Sequence, residues 1–76
     1  MTIEDIRAKA VLLLNRPTNS PRLPESTVTL RDGTTFEGTL IERAHRPTGE
    51  GMLERLGFSM GTAQIRYCAI ETIESF

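Results

Sequence analysis

Apolar and polar positions alternate along this chain with two different periods. Near the start, apolar residues recur at Ile3, Ile6, Ala10, Leu13 and Leu14, a spacing that places them on one face of a helix. Thr2 can cap that helix, and Glu4 and Asp5 fall in its first turn, where unpaired N–H groups favour negative charge. The spacing predicts a helix over residues 2–15. The run "AVLLL" is apolar on more than one side. One face covers the rest of the domain, and the other either joins the same core or meets a neighbouring subunit.

From residue 27 the period falls to two. Val28 and Leu30 alternate with Thr27, Thr29 and Arg31, Asp32-Gly33 supplies a hairpin turn, and Phe36, Gly38 and Leu40 share one face of the next strand. Gly38 in mid-strand predicts a sharp bend or a close backbone approach, as a strand curling into a small barrel requires. Residues 45–51, with Pro47, Gly49 and Gly51, are expected to form a polar loop. A strand over residues 52–60 and a turn at Gly61-Thr62 follow. In the next strand Ala63, Ile65, Tyr67 and Ala69 alternate with Gln64, Arg66, Cys68 and Ile70, and "ETIESF" closes with Ile73 and Phe76.

Between helix and strands, residues 16–26 hold three of the four prolines. Such a composition predicts an extended connector, or a proline-rich ligand segment. The expected fold is mainly β: a single domain over 1–76, with an N-terminal α-helix, the connector and a five-stranded SH3-like barrel over 27–76. Barrel closure is the reason for the last choice, because it leaves few strand edges exposed.

Composition narrows the function. At 76 residues the chain is near the size at which one core only just suffices, so a partner or self-association is expected to add stability. Cys68 and His45 are each the sole residue of their kind. They can form neither an internal disulfide nor a tetrahedral zinc site, so no cofactor or metal is expected and a reducing, cytoplasmic setting is. The acids before the N-terminal apolar run suit neither a secretory leader nor a membrane span. A net charge of −1 argues against a generally cationic nucleic-acid binder, but the eight arginines leave room for a local basic patch. His45 has no Ser, Cys or Asp at a catalytic spacing and no glycine loop cradles phosphate, so an enzyme is not expected.

The stretch "VTLRDGTTFEGTL", residues 28–40, resembles the first signature of the Sm-like family, the LSm/Hfq group: a hydrophobic residue, then Leu30, Asp32-Gly33, Phe36, Gly38 and Leu40. "IRYCAIETI", residues 65–73, is similar to the second signature. The resemblance implies an Sm-like barrel, a homo-oligomeric ring, pentamer to heptamer, formed through edge strands, and single-stranded RNA bound near the pore. Arg66 carries over as an RNA contact. Tyr67 stands where the family has glycine, and the Asp and Asn after the first signature and the Lys-His pair of Hfq have no counterpart. The ending "IRYCAIETIESF" is also similar to the Rof group, Sm-like proteins that bind the termination factor Rho. That likeness implies, as the alternative, a protein-interaction module that regulates a partner protein.

Five residues are the candidates for RNA contact: Arg66, Tyr67, Arg43, His45 and Arg46. Arg66 offers a planar fork of donors to a base or phosphate, or pairs at the surface with Glu71 or Glu74. Tyr67 offers a face for base stacking, or a core or interface position through its alternation with Ile65 and Ala69. Arg43, His45 and Arg46 form a small basic cluster that a ring would repeat around its rim. With Glu42, Glu50 and Glu54 nearby they equally make a solvated mixed-charge loop. Cys68, on the side opposite Tyr67, is expected to be a small buried hydrophobe.

Overall fold

The computed structural model describes residues 1–15, 25–61 and 64–76. Helix α1 runs Ile3–Leu14. Its first turn is closed reciprocally: the Thr2 hydroxyl accepts from the Asp5 N–H at 3.1 Å, and the Asp5 carboxylate accepts from the Thr2 N–H at 3.1 Å. Two donors with no helical partner are thereby satisfied. The same contacts hold the Asp5 carboxyl below its usual range. Ile6 and Ala10 are buried against the sheet with Leu13 and Leu14 partly covered beside them, whereas Leu12 is 74% exposed. Of the two apolar sides the sequence offers, one is docked and one is open.

Five antiparallel strands follow: β1 (Glu25–Leu30), β2 (Thr35–Thr48), β3 (Gly51–Ser59), β4 (Ile65–Ala69) and β5 (Ile73–Ser75), in the order β4-β3-β2-β1-β5. The outermost strands, β4 and β5, are joined by a single 3-10 turn at Ile70–Thr72. So short a link can join opposite ends of a sheet only if the sheet curls on itself, which gives the barrel-like form expected from the sequence. The β1–β2 turn is at Asp32-Gly33: the Leu30 N–H donates to the Thr34 carbonyl at 2.8 Å, Asp32 Oδ1 accepts from the Thr34 N–H at 2.9 Å, and Gly33 takes φ +92°. Only glycine adopts that backbone without strain.

The core lies inside the curl. Val28, Leu40, Leu56, Phe58 and Ile73 are buried, and the Phe58 ring meets Phe36 and Phe76 edge to face at 5.7 and 5.6 Å. These are favourable geometries for aromatic quadrupoles. Gly38 provides the close approach expected of it. A Cβ at that position would lie 3.0 Å from Phe58 Cβ and 3.2 Å from the Ser59 carbonyl oxygen.

Two features differ from the sequence expectation. The polar loop expected over 45–51 is a β-ribbon. Thr48 pairs with Gly51, leaving Gly49 and Glu50 as a two-residue turn, and the Thr48 hydroxyl donates to the Gly51 carbonyl at 3.2 Å and accepts from the Glu50 N–H at 3.3 Å. Pro47 sits opposite Met52 with pairing on either side of it. A proline removes one donor from a ladder, and its fixed φ is tolerated in an extended edge-like ribbon. The second feature is at the other boundary, where β1 takes in Glu25 and Ser26 of the expected connector. Residues 16–24 of that connector, and Thr62 and Ala63 of the following turn and strand, lie outside the described residues.

A register slip between Leu40 and Glu42 leaves Ile41 as an extra residue in β2. Because side chains alternate, one extra residue exchanges the two faces of the strand. Phe36, Gly38 and Leu40 face the core. Beyond the slip, Arg43 and His45 lie on the core side, opposite Leu56 and Glu54, while Glu42, Ala44 and Arg46 face outward with Gly57, Arg55 and Leu53. No helix among the described residues is long and apolar enough to cross a membrane.

Candidate functional site

The bulge divides the basic cluster. On the core side, Glu54 accepts from Arg7 of α1, Nε at 3.0 Å and Nη2 at 2.9 Å, and from Arg43 Nη2 at 2.8 Å. The hydrogen bond from Arg7 is the main reason the Glu54 carboxyl is held below its ordinary range; partial burial pushes the other way, and Arg43 reinforces Arg7. Arg43 is therefore a tie between β2, β3 and the helix. His45, across from Glu54 on the same side, is exposed.

On the outward side, Tyr67 of β4 stands opposite Gly57 of β3. Its ring lies across that glycine: a Cβ at 57 would come within 2.9 Å of Tyr67 Cε1 and 3.0 Å of Glu42 Cγ. The hydroxyl donates to the Glu42 carboxylate, and this bond pushes the phenol above its usual range, against an opposing pull from Arg55. The Arg55 guanidinium stacks over the ring, 5.0 Å from its centroid. Tyr67 is 40% exposed, so it is a surface residue, which corrects the core alternative. Arg46 is exposed on the same face. Arg55 is the residue that sequence reasoning missed. Its alternation with Gly57 and Leu53 carried the signal, but reading it required the β3–β4 register.

Arg66 sits elsewhere. It pairs with Phe58 in the ladder, on the core side, and its guanidinium lies over the Phe36 ring, 4.4 Å from the centroid. The surface pairing with Glu71 or Glu74 is not formed: among the described residues the ion pairs within 4.0 Å are Arg7–Glu54 and Arg43–Glu54. The Thr34 N–H holds the nearby Asp32 carboxyl below its usual range, and the Arg66 charge adds to that. Cys68 is buried as expected, and its burial pushes the thiol up.

The five candidates thus fall in three places. Tyr67 and Arg46 share the outward face with Arg55; Arg43, tied to the helix through Glu54, and exposed His45 lie on the core side; and Arg66 lies over Phe36. The sheet also has two open edges, since β4 pairs only with β3, and β5 only with β1, among the described residues. Next to the β4 edge stand Arg66 and the exposed Ile65; at the β5 edge stands exposed Glu74, preceded by Glu71. No group of three or more His, Cys, Asp or Glu residues able to hold a metal occurs among the described residues. No family model, curated protein or solved structure matches this chain.

Proposed function

We propose that this chain is a non-enzymatic, cytoplasmic Sm-like binding module that assembles head to tail through its sheet edges and binds single-stranded RNA. The observation that carries the RNA reading is Arg66. Its guanidinium is held on the Phe36 ring with no carboxylate within 4.0 Å among the described residues, so its donors remain available to a phosphate or base edge. Assembly is supported by the edges: β4 pairs only with β3 and β5 only with β1 among the described residues, so each leaves one side of its backbone open to a neighbouring chain. Joining unlike edges is a heterologous contact, which closes into a ring when the rotation allows. A ring, pentamer to heptamer, multiplies one arginine per chain into a belt of positive charge, which a chain of net charge −1 lacks as a monomer.

A second reading is favoured by the exposed apolar residues of the sheet. Ile65 and Tyr67 on the edge strand β4 are solvent-accessible, and exposed apolar groups beside an open edge suit a protein partner of the kind the Rof resemblance implies. Light scattering at low and high salt, followed by titration of a labelled uridine oligomer, tests both. A pentamer to heptamer whose RNA affinity falls steeply with salt and with Arg66→Ala supports the RNA reading. A monomer or dimer that ignores RNA overturns it in favour of the protein-binding reading.

A further inference from the structure

We infer that the outward face of β2, β3 and β4 is a second contact surface for the RNA backbone, with Arg55 at its centre and Arg46 beside it. This rests on the RNA reading and adds to it a face remote from Arg66, on the other side of the same strands.

The sheet treats its arginines differently. On the core side, Arg7 and Arg43 share the Glu54 carboxylate. On the outward side, Arg55 is half-buried and has no carboxylate within 4.0 Å among the described residues. Glu42, which shares its face, is engaged by the Tyr67 hydroxyl. A partly desolvated guanidinium without a counter-ion carries an electrostatic cost that a bound anion removes.

Its orientation is fixed in advance. Gly57 lets Tyr67 lie flat on the sheet, Glu42 anchors the ring through the hydroxyl, and the ring carries the Arg55 guanidinium. A guanidinium already stacked loses less conformational freedom when it binds, which favours affinity. Arg46 is the diagonal cross-strand neighbour of Arg55, since Ala44 pairs with Arg55 and Arg46 with Leu53; such positions lie roughly 7–8 Å apart. Between them Ala44 and Leu53, half-buried, form an apolar floor. Two forked cations over a flat apolar floor, one backed by an aromatic ring, suit a strand of alternating phosphates and bases. The phosphate takes the fork, and a base stacks on the guanidinium plane.

The test uses the assembled protein and a labelled uridine oligomer across a range of salt, comparing wild type with Arg55→Ala, Arg46→Ala, Arg55→Lys and Arg66→Ala. Thermal melts establish that each variant is folded. Arg55→Ala is expected to weaken binding about tenfold and to reduce the salt slope by about one, with Arg46→Ala changing the slope alike and Arg55→Lys restoring the slope but only part of the affinity. If wild type and Arg66→Ala differ while Arg55→Ala and Arg46→Ala bind like wild type, the outward face is not an RNA surface and the RNA reading survives without it. If polyglutamate displaces the oligomer from this face as well as unlabelled RNA does, the surface is a general anion site and the assignment to a nucleic-acid backbone is overturned. Absence of RNA binding by the wild-type assembly removes both.

Discussion

The two faces of the β2–β3–β4 sheet are made by alternate residues of the same strands, yet they solve opposite problems. The core face gathers Leu40, Leu56, Phe58 and Cys68, excludes water, and uses its one carboxylate, Glu54, to tie down two arginines and the helix. The outward face keeps Tyr67, Arg46 and Arg55 at or near the surface, with Glu42 bonded to a phenol rather than to a guanidinium. Apart from Arg66, whose guanidinium lies over Phe36, stability is therefore concentrated on one side and unused binding capacity on the other. Substitutions should separate the two cleanly if this division is real.

The largest effect is expected on the core side. Phe58 is fully buried and makes both edge-to-face contacts of the core. Phe58→Ala should cost about 3–5 kcal/mol, much of the total stability of a small domain, which is on the order of 5–15 kcal/mol. Urea unfolding measures it directly. On the outward face Arg46→Ala, at an exposed position, should change stability by no more than about 0.5 kcal/mol. Equal losses at the two positions would mean that the outward face is as structural as the core.

How far this division could be read beforehand depends on one residue. The alternation of Val28, Leu30, Phe36, Gly38 and Leu40 was enough to place the first hairpin, its turn and the close approach at Gly38, because pattern and turn chemistry agree there. Past Leu40 the pattern breaks down. Ile41 is inserted without any local signal, and the slip reverses which of Arg43, His45 and Arg46 look inward. Pro47, Gly49 and Gly51 then carry the composition of a loop while the backbone continues as paired ribbon. The basic cluster was thus legible as a composition, but its division between two faces was not. Arg55 stayed hidden for a related reason: it matters through Tyr67, a neighbour across strands that only the register brings together.

The Glu54 tie is the next largest effect and concerns how the core face holds the helix. Glu54→Gln should cost about 1–2 kcal/mol, towards the low end for charged hydrogen bonds because Arg7 and Arg43 are partly solvated. The pH dependence has a definite sign. Since the folded protein holds Glu54 below its ordinary range, this contribution is fully present above the unfolded carboxyl pKa and is lost as pH falls through the lower folded value. Wild type should therefore lose stability on acidification more steeply than Glu54→Gln, as followed by thermal melts across the acid range. Parallel acid profiles would show that the Glu54 tie contributes nothing to holding the helix.

The smallest effect probes the outward face without any ligand. Tyr67 is the only tyrosine and the chain has no tryptophan, so the ultraviolet absorbance of tyrosinate reports this one site. Glu42 raises the phenol above its usual range and Arg55 opposes it. Glu42→Gln should accordingly move the titration midpoint down towards that of free tyrosine, and Arg55→Ala should move it further up. Opposite shifts from two neighbours on different strands require both to sit on the ring at once, which is the arrangement that would hold the Arg55 fork ready for a phosphate. A midpoint that neither substitution moves would mean that Tyr67 is not gripped by its neighbours. Arg55 would then be a solvated side chain with no orientation fixed in advance, and the outward face would differ from the core face only in being wet.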